Sequence, residues 1–385
     1  MKFVAKTLYG LEKVLQKELE GIGAESIKPL NRAVSYEGDM NILYKSNYCL
    51  RTALSILMPV AEFRINSKDD LYRGGLRIKW EKYMGAEDTF SVVPVVKSTL
   101  FSHSGYPGLI LKDSVADYFR NKSGSRPSVH ASDPDLVINL HISNNDVSVS
   151  LDSTVVPLYK RGYRKEQSEA PINEVLAAGI ILMSGWDGSN DLIDPMCGSG
   201  TFPIEAAMIA GNIPPGRLRD YFGFMRWKDY DPELFDSIKT ELNSLTVKPS
   251  VRIDGSDISE KAIKQANANV ASALLKDYIT LRVSDFKDLK SEGRNVTLFL
   301  NPPYGLRLQP EEIDQLYSIT GSTLKHNFEG CTAWLITPNK DALKHVGLKP
   351  AGKNVLFNGA VECTLLKYEL YSGSRKNTTA SQKAV

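Results

Sequence analysis

The feature that most constrains the fold of this chain is a regular alternation of short apolar strands and helices between residues 161 and 371. The apolar runs predict strands at residues 192–194, 251–257, 279–283 and 296–300, and helices at residues 204–210 and 261–273. Such alternation is typical of a parallel sheet that carries helices on both faces. A sheet of this kind binds its ligands beyond the carboxyl ends of its strands. The sequence therefore predicts an α/β domain with a ligand site at that edge.

The first 156 residues predict two smaller α+β modules. Residues 1–61 have the order strand, helix, strand, strand, helix, which is typical of a ferredoxin-like unit. Residues 62–156 predict a strand, a helix and a hairpin whose turn is Asn144-Asn145-Asp146. Residues 372–385 are polar and rich in Ser and Thr, so we expect a disordered tail.

Composition and charge exclude some classes of protein but identify no partner. The 385 residues include 47 basic and 45 acidic side chains, and a net charge of +2 neither indicates nor excludes nucleic acid. The sequence contains no secretory signal and no apolar run of membrane-spanning length. The four cysteines lie far apart, without His at zinc-ligand spacing. We therefore expect a cytoplasmic protein with reduced thiols, no metal site and no membrane partner.

A glycine-rich turn follows the predicted strand at residues 192–194 and opens a helix. Glycines at such a turn let the backbone approach a ligand closely. The candidate ligand-binding residues of this turn are Asp194, Met196, Cys197, Gly198, Gly200 and Thr201. A phosphate loop is disfavoured because its Gly-Lys-Ser/Thr ending is absent, and a nicotinamide-binding turn because Pro203 replaces the third glycine. A turn with a purely structural role is the remaining alternative interpretation.

Two further strand ends carry an acidic side chain. Asp257 ends one strand and is followed by Ile258, and a carboxylate there can accept hydrogen bonds from two ribose hydroxyls. Asp285 follows the next strand and precedes Phe286, so an acid could bind an adenine amine while an aromatic ring covers the base. The alternative interpretation of both acids is local turn or capping chemistry.

The most specific motif is Asn301-Pro302-Pro303-Tyr304, directly after an apolar run that predicts a buried parallel strand. Two prolines remove two backbone donors and stiffen the turn. The amide oxygen of Asn301 and the carbonyl of Pro302 thus offer two acceptors for the hydrogens of an exocyclic NH₂ group. Two such acceptors bias the nitrogen toward sp³ geometry and expose its lone pair to a methyl donor, while Tyr304 can stack on a flipped base. A strand-ending Pro-Pro turn with a core tyrosine is the alternative.

A basic segment, Lys160-Arg161-Gly162-Tyr163-Arg164, precedes the predicted sheet. Arg161 is a candidate cofactor contact, because Arg side chains interleaved with Tyr can bind phosphate or a cofactor. A solvated linker is the alternative interpretation.

Together these motifs resemble class I methyltransferases that modify the amino groups of bases. The Asn-Pro-Pro-Tyr form also occurs in N6-adenine DNA methylases, so it does not select the substrate alone. From the first strand to about residue 370, the chain resembles THUMP-domain RNA methyltransferases, in particular the RlmL-type guanine-N2 enzymes of bacterial 23S rRNA. The matching stretches are residues 7–15, 70–72, 160–164, 170–172, 194–207 and 301–307.

The resemblance implies a class I, Rossmann-like methyltransferase domain at residues 161–371, preceded by a ferredoxin-like module at 1–61 and a THUMP RNA-binding domain at 62–156. It implies S-adenosylmethionine as the cofactor and RNA as the partner, either 23S rRNA or a ribosome assembly intermediate. The implied site residues are Asp194, Gly198 and Gly200 around the cofactor, Asp257 at its ribose, Asp285 at its adenine, and Asn301 to Tyr304 at the target base.

Two features depart from this family. Some members carry a second methyltransferase domain, and since this chain ends at Val385 we expect one activity. Leu306 stands where the resemblance implies Glu, which leaves the choice between guanine and adenine open. The sequence thus predicts methylation of a purine amine in RNA, and the preferred target is guanine N2 of 23S rRNA. The alternatives are adenine N6 of a nucleic acid, guanine N2 of tRNA, and a non-catalytic RNA-binding assembly factor.

Overall fold

The computed structural model describes residues 1–165, 171–303 and 309–371, and it divides into two compact units. Unit 1 comprises Met1–Thr7, Leu11–Lys160 and Pro214–Ser244, and unit 2 comprises Leu8–Gly10, Arg161–Ile213 and Leu245–Val385. No helix in the described part of the chain has both the length and the apolar character that a membrane span needs.

The first half of unit 1 has the predicted order of elements, completed by a fourth strand. Its elements are β1 (Lys2–Thr7), α1 (Glu12–Gly21), β2 (Glu25–Leu30), β3 (Ala33–Glu37), α2 (Met40–Cys49) and β4 (Ala53–Arg64). Helix α1 buries Leu15 and Leu19, as its apolar spacing predicts. The Asp39 carboxylate caps α2 by accepting the Ile42 N–H at 3.0 Å.

The second half of unit 1 continues the same sheet. Its elements are α3 (Lys68–Arg77), β5 (Thr89–Lys97), α4 (Tyr106–Ser123), β6 (Ser128–Val129), β7 (Leu136–Ser143) and β8 (Asp146–Asp152). Strand β4 pairs with β1 on one side and with β8 on the other, which gives the strand order β2-β3-β1-β4-β8-β7-β5-β6. Residue 61, the predicted end of the first module, lies inside β4.

One segment from the predicted third region folds with unit 1. This segment, Pro214–Ser244, contains a 3₁₀ turn at Gly223–Arg226 and helix α7 (Pro232–Ser244). Its Phe224 ring lies 4.5 Å from the Tyr44 ring between centroids, and its Phe235 ring lies 5.5 Å from the same ring. The sequence pattern places these residues in the third region, but their aromatic side chains complete the core of the first two modules.

Unit 2 contains the predicted α/β sheet. Its elements are α5 (Glu174–Ser184), β9 (Asp191–Asp194), α6 (Thr201–Ala210), β10 (Ile253–Asp257), α8 (Glu260–Ser272), β11 (Ile279–Val283), β12 (Val296–Leu300), α9 (Pro310–Asn327), β13 (Thr332–Thr337), β14 (Gly352–Asn358) and β15 (Val361–Glu369). The strand order is β11-β10-β9-β12-β13-β15-β14. Because the order reverses direction at β9 and β12, this sheet has its crevice at their carboxyl ends.

The sheet of unit 2 is mixed, not wholly parallel as the sequence predicts. Strands β9 to β13 pair in parallel, whereas β15 runs antiparallel to both β13 and β14. Only Gly359 and Ala360 separate β14 from β15, and so short a connection joins antiparallel strands. Gly359 has φ +64°, the left-handed conformation that such a tight turn requires.

Helices cover both faces of this sheet at strand β12. The Phe202 ring of α6 stacks on the Phe299 ring at 5.4 Å between centroids. On the other face, Tyr317 and Leu324 of α9 belong to the core cluster that contains Leu298 and Leu300. All five residues of β12 are buried, as its uninterrupted apolar sequence predicts.

Candidate active site

A cavity of about 710 Å³ lies at the carboxyl ends of strands β9 to β12, and this volume suits a small-molecule ligand. The sequence-predicted residues that line it are Asp194, Met196, Cys197, Gly198, Thr201, Asp257, Ile258, Asp285, Phe286, Asn301 and Pro302. These residues lie up to about a hundred positions apart in the chain, and the parallel sheet brings them to one edge.

The glycine-rich turn between β9 and α6 is attached to the end of β10. The Cys197 N–H donates to the Ser256 carbonyl at 2.8 Å, and the Gly198 N–H donates to Asp257 Oδ2 at 3.0 Å. Gly198 and Gly200 have φ +52° and +83°, which L side chains rarely adopt. A Cβ on Gly200 would also lie 3.2 Å from the Cβ of Ala266, so this glycine lets α8 pack behind the turn.

The Asp257 carboxylate accepts hydrogen bonds from the backbone and still has acceptor positions for a ligand. It accepts the Gly198 N–H at 3.0 Å and the Ser259 N–H at 2.9 Å. A carboxylate has about four lone-pair sites, so two acceptor positions remain. The neighbouring Ile258 lines the cavity with 72% of its surface exposed, which offers an apolar face to a flat ring.

Asp285 and Phe286 differ in what they present to the cavity. Burial tends to raise the pKa of Asp285, but hydrogen bonds from the Lys287 ammonium at 2.9 Å and the Lys287 N–H at 3.1 Å outweigh it, so the pKa is lowered. This carboxylate is therefore charged at neutral pH. Phe286 is only 4% exposed, and its ring packs 5.8 Å from that of Phe328. Phe286 therefore borders the cavity with little of its surface, whereas Ile258, which also lines the cavity, is 72% exposed.

The end of β12 carries the target-base residues of the sequence prediction. Asn301 is partly buried and Pro302 is buried, and both line the cavity with Pro303. Tyr304 and Leu306 lie outside the described residues.

Arg161 lies away from the cavity lining. Its side chain is 2% exposed, and Nε lies 3.4 Å from Oε1 of Glu205, which is fully buried in α6. The Tyr163 hydroxyl donates to the same carboxylate at 3.2 Å. The structure thus places Arg161 against the inner side of α6.

Two helices contribute lining residues that the sequence motifs do not predict. Helix α8 contributes Lys261, Ala262 and Gln265, and helix α9 contributes Leu316, Ile319 and Thr320. In both helices the lining residues recur at spacings of three or four, so one helical face borders the cavity. That spacing is visible in the sequence, but which face meets the cavity follows from packing alone.

The cysteines are free thiols, and burial raises the pKa of Cys197 well above its ordinary value. Cys197 therefore borders the cavity as a neutral thiol. Within residues 1–165, 171–303 and 309–371, no group of three or more His, Cys, Asp or Glu side chains is arranged to hold a metal ion.

Asp194 is buried, and its ionisation opposes folding. Burial raises its pKa well above the ordinary 3.8; the hydrogen bond from the Met196 N–H lowers it, and the charge of Asp257 raises it. The folded state therefore binds the proton more tightly than the unfolded state, and stability falls as pH rises above about 4 toward the folded-state pKa.

Asp194→Asn is expected to remove this pH dependence. The amide retains an acceptor for the Met196 N–H at the 3.2 Å position but carries no charge. We expect the Tm of the variant, relative to wild type, to be higher at about pH 8 than at about pH 5. Calorimetry without cofactor measures both values, and a Tm difference that stays constant with pH would contradict the buried-acid interpretation.

Family comparisons agree with this geometry. The family model for the RMKL-like methyltransferase domain matches residues 161–367, more than half of the chain. The chain belongs to the RMKL-like methyltransferase family. Models for the RlmL ferredoxin-like domain and the THUMP domain match residues 2–57 and 66–152.

Curated relatives match nearly the whole chain. A predicted RNA methyltransferase of Synechocystis sp. is 36% identical over 376 residues, which cover 96% of this chain and 97% of the relative. The ribosomal RNA large subunit methyltransferase K/L of Syntrophotalea carbinolica is 35% identical over 382 residues, which cover 96% of this chain and 54% of that enzyme. The chain thus spans about half the length of the K/L enzymes that it matches.

Solved structures show the same fold. A predicted methyltransferase crystallised with S-adenosylhomocysteine has 31% identity and a TM-score of 0.88, covering 97% of this chain and 99% of its own. A predicted N6-adenine-specific DNA methylase from Listeria monocytogenes has 28% identity and a TM-score of 0.86, covering 96% of both chains.

S-adenosylmethionine is the cofactor of this methyltransferase domain. The cavity fits its nucleoside, because Asp257 retains two acceptor positions, Ile258 exposes an apolar face, and the glycine turn allows close backbone approach.

Proposed function

We propose that this chain methylates the exocyclic amine of a purine in RNA, and that the amine is guanine N2 in 23S rRNA. The observation that carries the proposal is that Asn301 and Pro302 line the same cavity as Asp257 and Asp285. An amine-binding pair of acceptors and a nucleoside-binding pair of acids then meet in one space.

The cofactor half of the site is formed by the ends of β9, β10 and β11. We assign Asp257 to the two ribose hydroxyls and Asp285 to the adenine amine, with Ile258 against the adenine ring. We assign the rest of the cofactor to the turn from Asp194 to Thr201, most of whose residues line the cavity. When bound, the cofactor supplies an electrophilic methyl group on a positively charged sulfur.

We expect Asp257→Ala to weaken cofactor binding by about 10–150-fold. This loss of affinity corresponds to the removal of charge-assisted hydrogen bonds worth about 1.5–3 kcal/mol. Calorimetric titration with S-adenosylhomocysteine measures the affinity. Asp277→Ala is the matched control, because Asp277 is exposed and absent from the cavity lining. Equal affinities for the two variants would contradict the ribose assignment.

The target-base half of the site is the end of β12. The Asn301 amide oxygen and the Pro302 carbonyl accept one hydrogen each from the amine and bias its nitrogen toward sp³ geometry. With the cofactor bound, the nitrogen lone pair would attack the methyl carbon, so that the N–C bond forms as the C–S bond breaks and S-adenosylhomocysteine leaves. The nitrogen would lose its extra proton to solvent after the transfer, so no strong base is needed to remove a proton first. The base must leave its stack to reach a cavity of this kind, and this unstacking costs a few kcal/mol. We propose that Tyr304 stacks on the flipped base and offsets this cost.

The RNA partner is supported by the N-terminal modules and by the relatives. The THUMP model matches residues 66–152, and relatives at 33–36% identity are named RNA or ribosomal RNA methyltransferases. We propose 23S rRNA or a ribosome assembly intermediate as the substrate, and the cytoplasm as the place of action.

The test is a tritium methyl-transfer assay on RNA from cells that lack this protein, followed by nucleoside analysis. We expect label in N2-methylguanosine from the 23S fraction. Label in N6-methyladenosine alone would refute the guanine assignment, and label in tRNA alone would refute the rRNA assignment.

Adenine N6 is the second candidate target. The structural likeness to a predicted N6-adenine-specific DNA methylase favours it, because the two acceptors at Asn301 and Pro302 suit either amine. Competition by duplex DNA in the same assay distinguishes a DNA substrate from RNA.

A further inference from the structure

Arg164 joins the glycine-rich turn to helix α5 by three hydrogen bonds. Its Nε donates to Glu174 Oε1 at 2.8 Å, Nη1 donates to Ser199 Oγ at 2.9 Å, and Nη2 donates to Thr201 Oγ1 at 3.1 Å. Arg164 is 16% exposed and Glu174 is 7% exposed. The planar guanidinium group of Arg164 therefore holds three acceptors in fixed directions, with little access of solvent.

The same turn is held from a second direction by helix α8. Asn269 is fully buried, and its Nδ2 donates to the Ser199 carbonyl at 3.0 Å. Its Oδ1 accepts the N–H of Lys165, the residue after Arg164, at 3.2 Å. Ser199 is thus attached through its hydroxyl to Arg164 and through its carbonyl to Asn269.

This attachment compensates for the flexibility of the turn. Gly198 and Gly200 allow the positive φ angles that the turn needs, but glycine also has the greatest conformational freedom of all residues. A turn that is held in its bound shape before the ligand arrives binds more tightly, because less ordering occurs on binding. Arg164 itself is absent from the cavity lining, so its effect on a ligand passes through Ser199 and Thr201.

We infer that Arg164 is a positioning residue of the cofactor site, which sets the shape of the Gly198–Thr201 turn without touching the cofactor. The inference rests on the cofactor half of the proposed function and is independent of the RNA substrate. Arg164 is the second arginine of the basic segment, whose alternative interpretation from sequence is a solvated linker.

The first test compares Arg164→Lys with Arg294→Lys. Lysine keeps the charge but cannot donate along three fixed directions. Arg294 is a matched control, because it is 23% exposed, pairs with Asp191 at 2.8 Å and is absent from the cavity lining. We expect Arg164→Lys to weaken S-adenosylhomocysteine binding in calorimetry by about 10-fold or more, as loss of groups that orient ligand-binding residues commonly does. We expect Arg294→Lys to lower the Tm without changing affinity.

Wild-type affinity in a folded Arg164→Lys protein would overturn the inference, as would an equal loss of affinity in the Arg294→Lys control. If Arg164→Lys does not fold, Ser199→Ala carries the test, since it removes one acceptor and leaves the Arg164–Glu174 pair intact. We then expect binding weaker by about 2–10-fold, and unchanged binding would overturn the inference.

Kinetics separate this role from a general loss of stability. A positioning residue of the cofactor site is expected to raise the KM for S-adenosylmethionine in Arg164→Lys while kcat changes little, whereas partial unfolding would lower kcat at unchanged KM. A wild-type protein that binds the cofactor but methylates no RNA would refute the proposed substrate and leave the calorimetric test of Arg164 in force.

Discussion

Asn301→Ala is expected to lower the single-turnover rate of methyl transfer by about 100- to 1000-fold, as the loss of one oriented polar group in an active site commonly does. Asn301 lines the cavity at the end of β12, where all five strand residues are buried and the backbone is therefore held firmly. Without its amide oxygen, the target amine keeps only the Pro302 carbonyl as an acceptor. The lone pair then stays delocalised into the ring and the nitrogen remains a poor nucleophile.

Two measurements make this expectation specific. Calorimetry with S-adenosylhomocysteine should give wild-type affinity for Asn301→Ala, because the ribose and adenine acids are unchanged. Asn295→Ala is the matched control, since Asn295 is exposed and precedes the same strand at its opposite end. An Asn301→Ala protein that transfers methyl groups at the wild-type rate would show that the proposed geometry of the amine is wrong.

A fragment of residues 161–371 is expected to aggregate, although it contains the whole of the matched methyltransferase region. Its segment Pro214–Ser244 belongs to unit 1, where Phe222, Phe224 and Phe235 are at most 1% exposed. Removing residues 1–160 would expose these three rings, which bury about 150–250 Å² each. Because the rings also cover one another, the newly exposed apolar area is at most about 450–750 Å², a range that reaches the largest patch on a typical monomer.

The control is the same fragment with residues 214–244 replaced by a short Gly-Ser linker. Such a linker can close the gap, because the Val247 N–H donates to the Gly211 carbonyl at 2.9 Å and the two ends already lie together. We expect this fragment to be monomeric in size-exclusion chromatography and to bind S-adenosylhomocysteine. A monomeric fragment that retains residues 214–244 would contradict the role of the aromatic segment.

The strand ends of unit 2 could be predicted because local sequence specifies them. A buried parallel strand needs an uninterrupted apolar run, and Val296–Leu300 is one, so Asn301 and Pro302 mark its carboxyl end. Asp257 and Asp285 follow strands of the same kind. Since parallel strands end at the same edge, these residues converge without any knowledge of the loops.

Elements whose pairing is distant in sequence were harder to predict. Strand β4 has a mixed burial pattern with no clean alternation, and its neighbour β8 lies about 90 residues later. The β14–β15 hairpin adds antiparallel strands to a parallel sheet, and nothing in the earlier alternation of strands and helices indicates it. The place of β4 depends on hydrogen bonds to β8, and that of β15 on hydrogen bonds to β13, and no local pattern connects these strands.

The basic segment also shows, at single residues, the difference between what local sequence predicts and what packing decides. Its sequence contains two arginines three positions apart, of which Arg161 is the predicted cofactor contact. The fold instead buries Arg161 beside Glu205 and directs the Arg164 guanidinium to Ser199 and Thr201. Which arginine reaches the turn depends on how the backbone between Arg161 and Lys165 packs against α6 and α8.

The sequence by itself determined the α/β class, the positions in the chain where the strands end, and the residue types at those ends. Apolar runs, glycine turns and acids after strands specify these features through local conformation and burial. Only the tertiary structure decided that Pro214–Ser244 completes the core of unit 1, that Ile258 lines the cavity largely exposed while Phe286 lines it buried, and that Arg164 holds the glycine turn. These outcomes depend on which surfaces remain exposed after packing, and packing is a property of contacts between distant residues.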